Sequence, residues 1–192
     1  MIRSNTRTKA LMGSLLAGGV GMLALLVLAV SCDSGKLGVV SKAEACTQSA
    51  SQTCLPDVNY VDTTGKVYTP KDLAGKVVVI NFWATWCKPC LKEIPDFSRA
   101  FERFKDKGVV VLGILTSDDP DDDTLLNFQS DNDMTYPVVR ANSDILVSYM
   151  YPDGLPTTFV FDRGGKQVFH HKGPLKESAL AAVLEPLVQQ QL

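Results

Sequence analysis

The sequence predicts an α/β domain in which helices pack on a central mixed β-sheet, with a β-hairpin ahead of it. Three observations carry this. Val77 to Trp83 and Val109 to Leu115 are almost entirely apolar and rich in β-branched residues, the composition of strands buried on both faces. Between them, Ile94, Phe97, Phe101 and Phe104 recur at helical spacing and mark one apolar helix face. Short strand-like runs around turn-forming residues open and close the region, so strands alternate with helices in the middle and antiparallel pairs stand at the ends.

Taken in order, Val58 to Val61 and Val67-Tyr68 flank the turn-forming stretch 62–66, and this reads as the opening hairpin. The strand ending at Trp83 runs through Ala84-Thr85-Trp86 into a helix that starts near Cys87 and closes at Gly108, a C-cap residue. After the second buried strand, residues 117–123 form an acidic loop that feeds a helix over 122–131, where carboxylates suit the helix dipole. A short strand over 136–140 and a short helix over 144–149 follow. Residues 158–161 and 166–171 make a closing hairpin about the turn 162–165. A terminal helix covers 176–190, and Pro186 is expected to bend or end it.

The N-terminus differs in kind. Arg3, Arg7 and Lys9 precede an uncharged apolar run from Ala10 to Val30, the layout of an export signal or membrane anchor. Leu28-Ala29-Val30-Ser31-Cys32 resembles a lipoprotein signal, in which the chain is cut before Cys32 and that residue is lipidated. It departs from the usual pattern at Ala29, where Leu is common. The other reading is an uncleaved helix. Residues 32–54, rich in Ser, Ala, Gly and Gln, read as a tether, and 55–192 as the folded domain. The expected organisation is therefore 1–31 signal or anchor, 32–54 tether and 55–192 domain, in a bacterial cell envelope with the domain facing the periplasm or exterior.

Formal net charge is −2, with no basic cluster to suggest a nucleic-acid partner, and 45% of residues are hydrophobic, enough for a packed core. There are five cysteines: Cys32, Cys46, Cys54, Cys87 and Cys90. Cys87 falls at a helix N-terminus, where unpaired N–H groups and the dipole favour a thiolate, and Lys88 adds positive charge. Cys90 lies one turn further on the same side, within disulfide reach. Such a pair can open and close without moving the fold. Cys87 is expected to attack a target disulfide and Cys90 to resolve the mixed disulfide. Half of a zinc site is the competing reading of Cys-x-x-Cys, and neither Cys46 and Cys54 nor the adjacent His170-His171 has the spacing of its missing half. No metal or cofactor is expected.

Three motifs carry a resemblance: Asn81-Phe82-Trp83-Ala84-Thr85-Trp86-Cys87-Lys88-Pro89-Cys90, Glu93-Ile94-Pro95, and Gly154-Leu155-Pro156-Thr157-Thr158-Phe159. Over about residues 57–188 the chain resembles the TlpA/ResA-type membrane-anchored thioredoxin-like proteins. The resemblance implies a thioredoxin-like fold and an extracytoplasmic thiol-disulfide oxidoreductase. Its expected clients are protein disulfides such as those of apocytochrome c in cytochrome c biogenesis, and its electrons come from a membrane donor of the DsbD/CcdA type. It makes Pro156 a cis-proline beside the sulfurs and leaves the Leu155 backbone, with Trp86, to meet the client. Glu93 becomes the carboxylate that tunes the pair, the more so because Asn81 stands where cytosolic thioredoxins carry a buried Asp. Cys46 and Cys54 lie outside these motifs, and a structural bridge or a second redox pair are both open to them. The alternative function is a Cu(I)-handling thioredoxin-like protein that delivers metal to respiratory enzymes.

Mass spectrometry of the mature protein is expected to find a lipid-modified Cys32 as the first residue; an intact Met1 would establish the uncleaved anchor instead.

Overall fold

The computed structural model describes residues 46–49 and 53–190. The basic and apolar N-terminal segment, Cys32 and most of the expected tether lie outside these residues. Among the described residues no helix is long and apolar enough to cross a membrane.

The hairpin strands β1 (Tyr60–Val61) and β2 (Val67–Tyr68) pair antiparallel. Asp62 closes their turn by accepting from the backbone N–H groups of Thr64 (2.9 Å) and Lys66 (3.0 Å). A short helix α1 (Pro70–Leu73) follows, which the sequence reading left out. Its signal is a capping box: Thr69 accepts from Asp72 N, Asp72 accepts from Thr69 N, and Pro70 opens the first turn.

The main sheet has the order β5-β4-β3-β6-β7. Its centre is β3 (Val77–Trp83), flanked by β4 (Val109–Leu115) in parallel and β6 (Thr157–Phe161) antiparallel. The edges are β5 (Val138–Arg140) beside β4 and β7 (Gln167–Lys172) beside β6. The expected strand over 136–140 is thus shorter, because Pro137 has no N–H to donate and instead accepts from Gly113 N (2.9 Å).

Every residue of β3 is buried, and its side chains alternate between two cores. Val77, Val79 and Trp83 face α2 (Lys88–Phe104) and α5 (Glu177–Gln189). Val78, Ile80 and Phe82 face Tyr60, Ile145 and Tyr149, on the side of the hairpin and α4 (Ser143–Ser148). Helix α3 (Asp122–Asp131) adds Leu125 to the first core. Pro186 does not end α5, which continues to Gln189. Leu184 and Leu187 on either side are buried and keep the helix on the core despite the missing N–H.

Gly113 in β4 sits where the packing is tightest. A Cβ there would lie 2.9 Å from the Tyr136 ring and 3.0 Å from Trp83 Nε1, and both side chains are fully enclosed. Gly113→Ala is therefore expected to cost about 1–3 kcal/mol of stability in urea denaturation. An unchanged midpoint would mean that the Trp83–Tyr136 contact yields more readily than its packing indicates.

Candidate active site

The site begins where β3 ends. The chain leaves Trp83, crosses Ala84-Thr85-Trp86, and turns into α2 with Cys87 as the N-cap residue. Cys87 Sγ accepts from Cys90 N (3.3 Å), and the two sulfurs form a disulfide with a Cα–Cα separation of 5.2 Å. Pro89 occupies the first turn, where no N–H is needed. When the disulfide is reduced, the exposed N–H groups of this turn favour negative charge on Cys87.

A cleft of about 330 Å³ opens over Cys87 and does not reach Cys90. Its walls come from Trp86 and Pro89 around the start of α2, Ser117 of the β4–α3 loop, and Pro152, Gly154 and Leu155 ahead of β6. Cys87 is therefore the sulfur that a client can touch. The Leu155–Pro156 bond is cis, and the Pro156 carbonyl accepts from Gly173 N (2.8 Å). Met150 and Tyr151, just ahead of this wall, both take left-handed backbone with φ of 55° and 50°. That conformation is uncommon outside glycine and collects at functional sites.

Glu93 stands one helical turn past Cys90 on α2, 1% exposed. Asn81 lies on the α2 face of β3, opposite Thr158 of β6. Its amide donates to Glu93 Oε1 (2.8 Å) and to Thr158 Oγ1 (3.2 Å), while Leu175 N donates to Glu93 Oε2 (2.9 Å). Burial dominates over these two donors, and the carboxyl is pushed up from 4.5 to about 7. Asp96, one turn further on, shows the opposite balance. Burial raises it, but hydrogen bonds from Glu177 N and Arg99, with Lys176 nearby, hold it below its ordinary value. One helix thus carries a carboxyl poised near neutrality and a carboxylate that stays charged.

The second disulfide, Cys46–Cys54, lies elsewhere. Cys46 N donates to Gly164 O (2.9 Å), Leu55 N to Gly165 O (2.7 Å), and Gln167 N to Thr53 O (2.9 Å). The disulfide-closed segment is therefore laid along the β6–β7 turn, and residues on the tether side of the expected boundary at 54/55 join the sheet. That turn follows Phe161, which pairs with Val78 at the start of β3, whereas Cys87 follows the end of β3. The two disulfides sit at opposite poles, about 20 Å of strand apart. Direct exchange between them is out of reach in this fold.

The structure thus brings Trp86, Cys87, Cys90, Glu93, Leu155 and Pro156 to one end of the sheet, places Cys46 and Cys54 at the other, and leaves Cys32 outside the described residues. Ser117, Pro152 and Asp153 also border the cleft and went unread in the sequence. Ser117 carries a topological signal, since loops after parallel strands gather at the carboxyl ends, whereas Pro152 and Asp153 lie ahead of the antiparallel β6 and reach that end through its reversed direction. Among the described residues no group of three or more His, Cys, Asp or Glu side chains could hold a metal ion.

A family model described as the AhpC/TSA family matches residues 46–168. The chain belongs to the AhpC/TSA family. Within that family, thiol-disulfide oxidoreductase ResA of Bacillus thuringiensis subsp. konkukian is 34% identical over 134 residues, 69% of this chain and 75% of the relative. ResA of Bacillus subtilis is 33% identical over 125 residues, covering 65% and 69%. Among solved structures, a thiol:disulfide interchange protein of the thioredoxin family from Chlorobium tepidum TLS superposes with a TM-score of 0.65 at 27% identity, over 73% of this chain and 99% of the other. This AhpC/TSA member is a thiol-disulfide oxidoreductase with a thioredoxin fold.

The Glu93 shift has a definite sign in stability. Below pH 4.5 both folded and unfolded chains keep the proton, and the contribution is fully present. Between 4.5 and about 7 the unfolded chain releases the proton first, so stability falls as pH rises. Above that the loss is complete, at roughly 3 kcal/mol. Chemical denaturation of the oxidised protein across this range is expected to show this loss, and Glu93→Gln to remove it; a Gln variant with the same slope would assign it to another group.

Proposed function

We propose that this protein reduces protein disulfides outside the cytoplasm. The observation that carries the reading is a cleft that opens over Cys87, 3% exposed, and is bordered by Leu155 of the cis Leu155–Pro156 bond, while Cys90 is fully enclosed.

Each step balances on this chain's own groups. The Cys87 thiolate attacks one sulfur of a client disulfide, and the client's other sulfur leaves as a thiolate and takes up a proton. Cys87 and the client are then joined by a mixed disulfide. Glu93, one turn from Cys90, accepts the Cys90 proton while in its carboxylate form. Cys90 then attacks Cys87 Sγ, and the second client thiolate leaves. Two electrons have passed to the client, and Cys87–Cys90 is the disulfide that remains. A client strand in extended form reaches the Leu155 backbone, which precedes the cis bond, by strand addition, with Trp86 as the facing wall.

The extracytoplasmic setting is supported by the basic-then-apolar N-terminus and by Cys46–Cys54. A disulfide remote from the reactive pair suits an oxidising compartment. In this reading the chain is held at a bacterial membrane by a lipid on Cys32 or by an uncleaved anchor. A membrane thiol donor of the DsbD/CcdA type re-reduces Cys87–Cys90. Clients are protein disulfides, with those of apocytochrome c as the leading class.

In Cys90→Ser, resolution is lost, so clients are expected to accumulate as adducts of Cys87 that dithiothreitol releases. Cys87→Ser is expected to capture nothing and to reduce no disulfide. Equal capture by both variants would overturn the assigned order of attack.

A further inference from the structure

Three consecutive residues of the β4–α3 loop bind the segment that leads from β3 to Cys87. Thr116 N donates to Trp83 O (2.9 Å). The Ser117 carbonyl accepts from the Trp86 indole Nε1 (3.1 Å). Asp118 Oδ2 accepts from Thr85 N (3.0 Å) and also from the Thr85 hydroxyl. Ser117 takes a left-handed backbone, φ 58°, a conformation that costs energy for a residue with a side chain and that persists only where surrounding contacts demand it.

These contacts matter because of what Trp86 is. The residue is 62% exposed, so burial does not fix the orientation of its indole. It nevertheless lines the cleft beside Cys87. A free indole would have to be ordered each time a client binds, and that ordering subtracts from affinity. The loop removes this cost in advance, through the indole bond to Ser117 and the pair of bonds from Thr85 to Asp118.

We propose that Asp118 is a positioning residue for disulfide exchange: it locks Thr85 against the β4–α3 loop and so holds Trp86 as a preset wall of the client cleft. The proposal rests on the reading of that cleft as the client site. Asp118 acts through Trp86, and its acceptor oxygen, not its charge, is what the geometry uses. The client chemistry that profits is a disulfide flanked by an aromatic or other flat apolar residue that stacks on the indole.

The test is a double-mutant cycle in the full chain. The pre-reduced protein is mixed with a synthetic peptide that carries one intramolecular disulfide next to a Phe, and the second-order rate is followed. Asp118→Ala is expected to slow reduction about tenfold in the parent and less than twofold in a Trp86→Ala background. Asp118→Asn keeps an acceptor for Thr85 and is expected to stay within threefold of the parent. Acrylamide quenching of Trp86, with enclosed Trp83 as the internal reference, is expected to rise in Asp118→Ala only. Thermal unfolding of both variants stays within a few degrees of the parent. An unchanged rate in Asp118→Ala, an equal loss in both backgrounds, or a loss in Asp118→Asn as large as in Asp118→Ala would overturn the proposal while leaving the reductase reading intact. A parent that fails to reduce the peptide, with no adduct on Cys90→Ser, removes both.

Discussion

Burial of β3 on both faces sets everything that follows it. A strand with apolar side chains in two cores cannot shift its register without exposing one of them, so the position of Trp83 is fixed to within a residue. Cys87 follows after a short crossing and becomes the N-cap of α2, whose own apolar face is fixed against the same sheet. The reactive sulfur is thereby placed at a helix N-terminus by two hydrophobic surfaces that have no chemical role. On the antiparallel side, the same register sets Thr157 against Phe82 and so brings the cis-Pro156 wall to the level of the disulfide. Strand, helix and cleft are one geometric consequence.

The polar pair of Asn81 and Glu93 interrupts that apolar interface. Leaving a buried polar group unpaired costs on the order of 1–3 kcal/mol, and here both Glu93 oxygens and both Asn81 amide hydrogens are engaged. The arrangement keeps an acid next to Cys90 that changes charge near neutral pH, while Asp96 a turn away remains a charged cap at the start of α5. In the proposed mechanism this carboxyl accepts the Cys90 proton, which would account for a polar pair in an otherwise apolar interface.

What the sequence made legible follows the same physics. Continuous apolar runs announced β3 and β4, and helical periodicity announced α2, because both signals are local. Cys87, Cys90 and Pro156 lie in motifs dense enough to read directly. Asn81 and Glu93 were each visible, one as a lost acid and one as a candidate, but their hydrogen bond depends on which β3 face meets which turn of α2. The grip of the 116–118 loop on 83–86 left no local trace at all, since two of its three contacts end on backbone carbonyls that any residue supplies. Pro186 does not end α5, because local rules weigh the missing N–H and the packing of Leu184 and Leu187 outweighs it. The capping box at Thr69 and Asp72 is by contrast a local signal that the sequence does carry.

The clasp at Cys46 and Cys54 has a mechanical consequence. In the tethered arrangement proposed above, a pull from the N-terminal side would reach Cys46 and pass to the β6–β7 turn both through the sulfur–sulfur bond to Cys54 and through the Cys46 N–H bond to Gly164. The load enters beside the β6–β7 turn, with the length of the sheet between it and Cys87. Thus the place where such a pull would enter the domain and the place that exchanges electrons lie at opposite ends of β3.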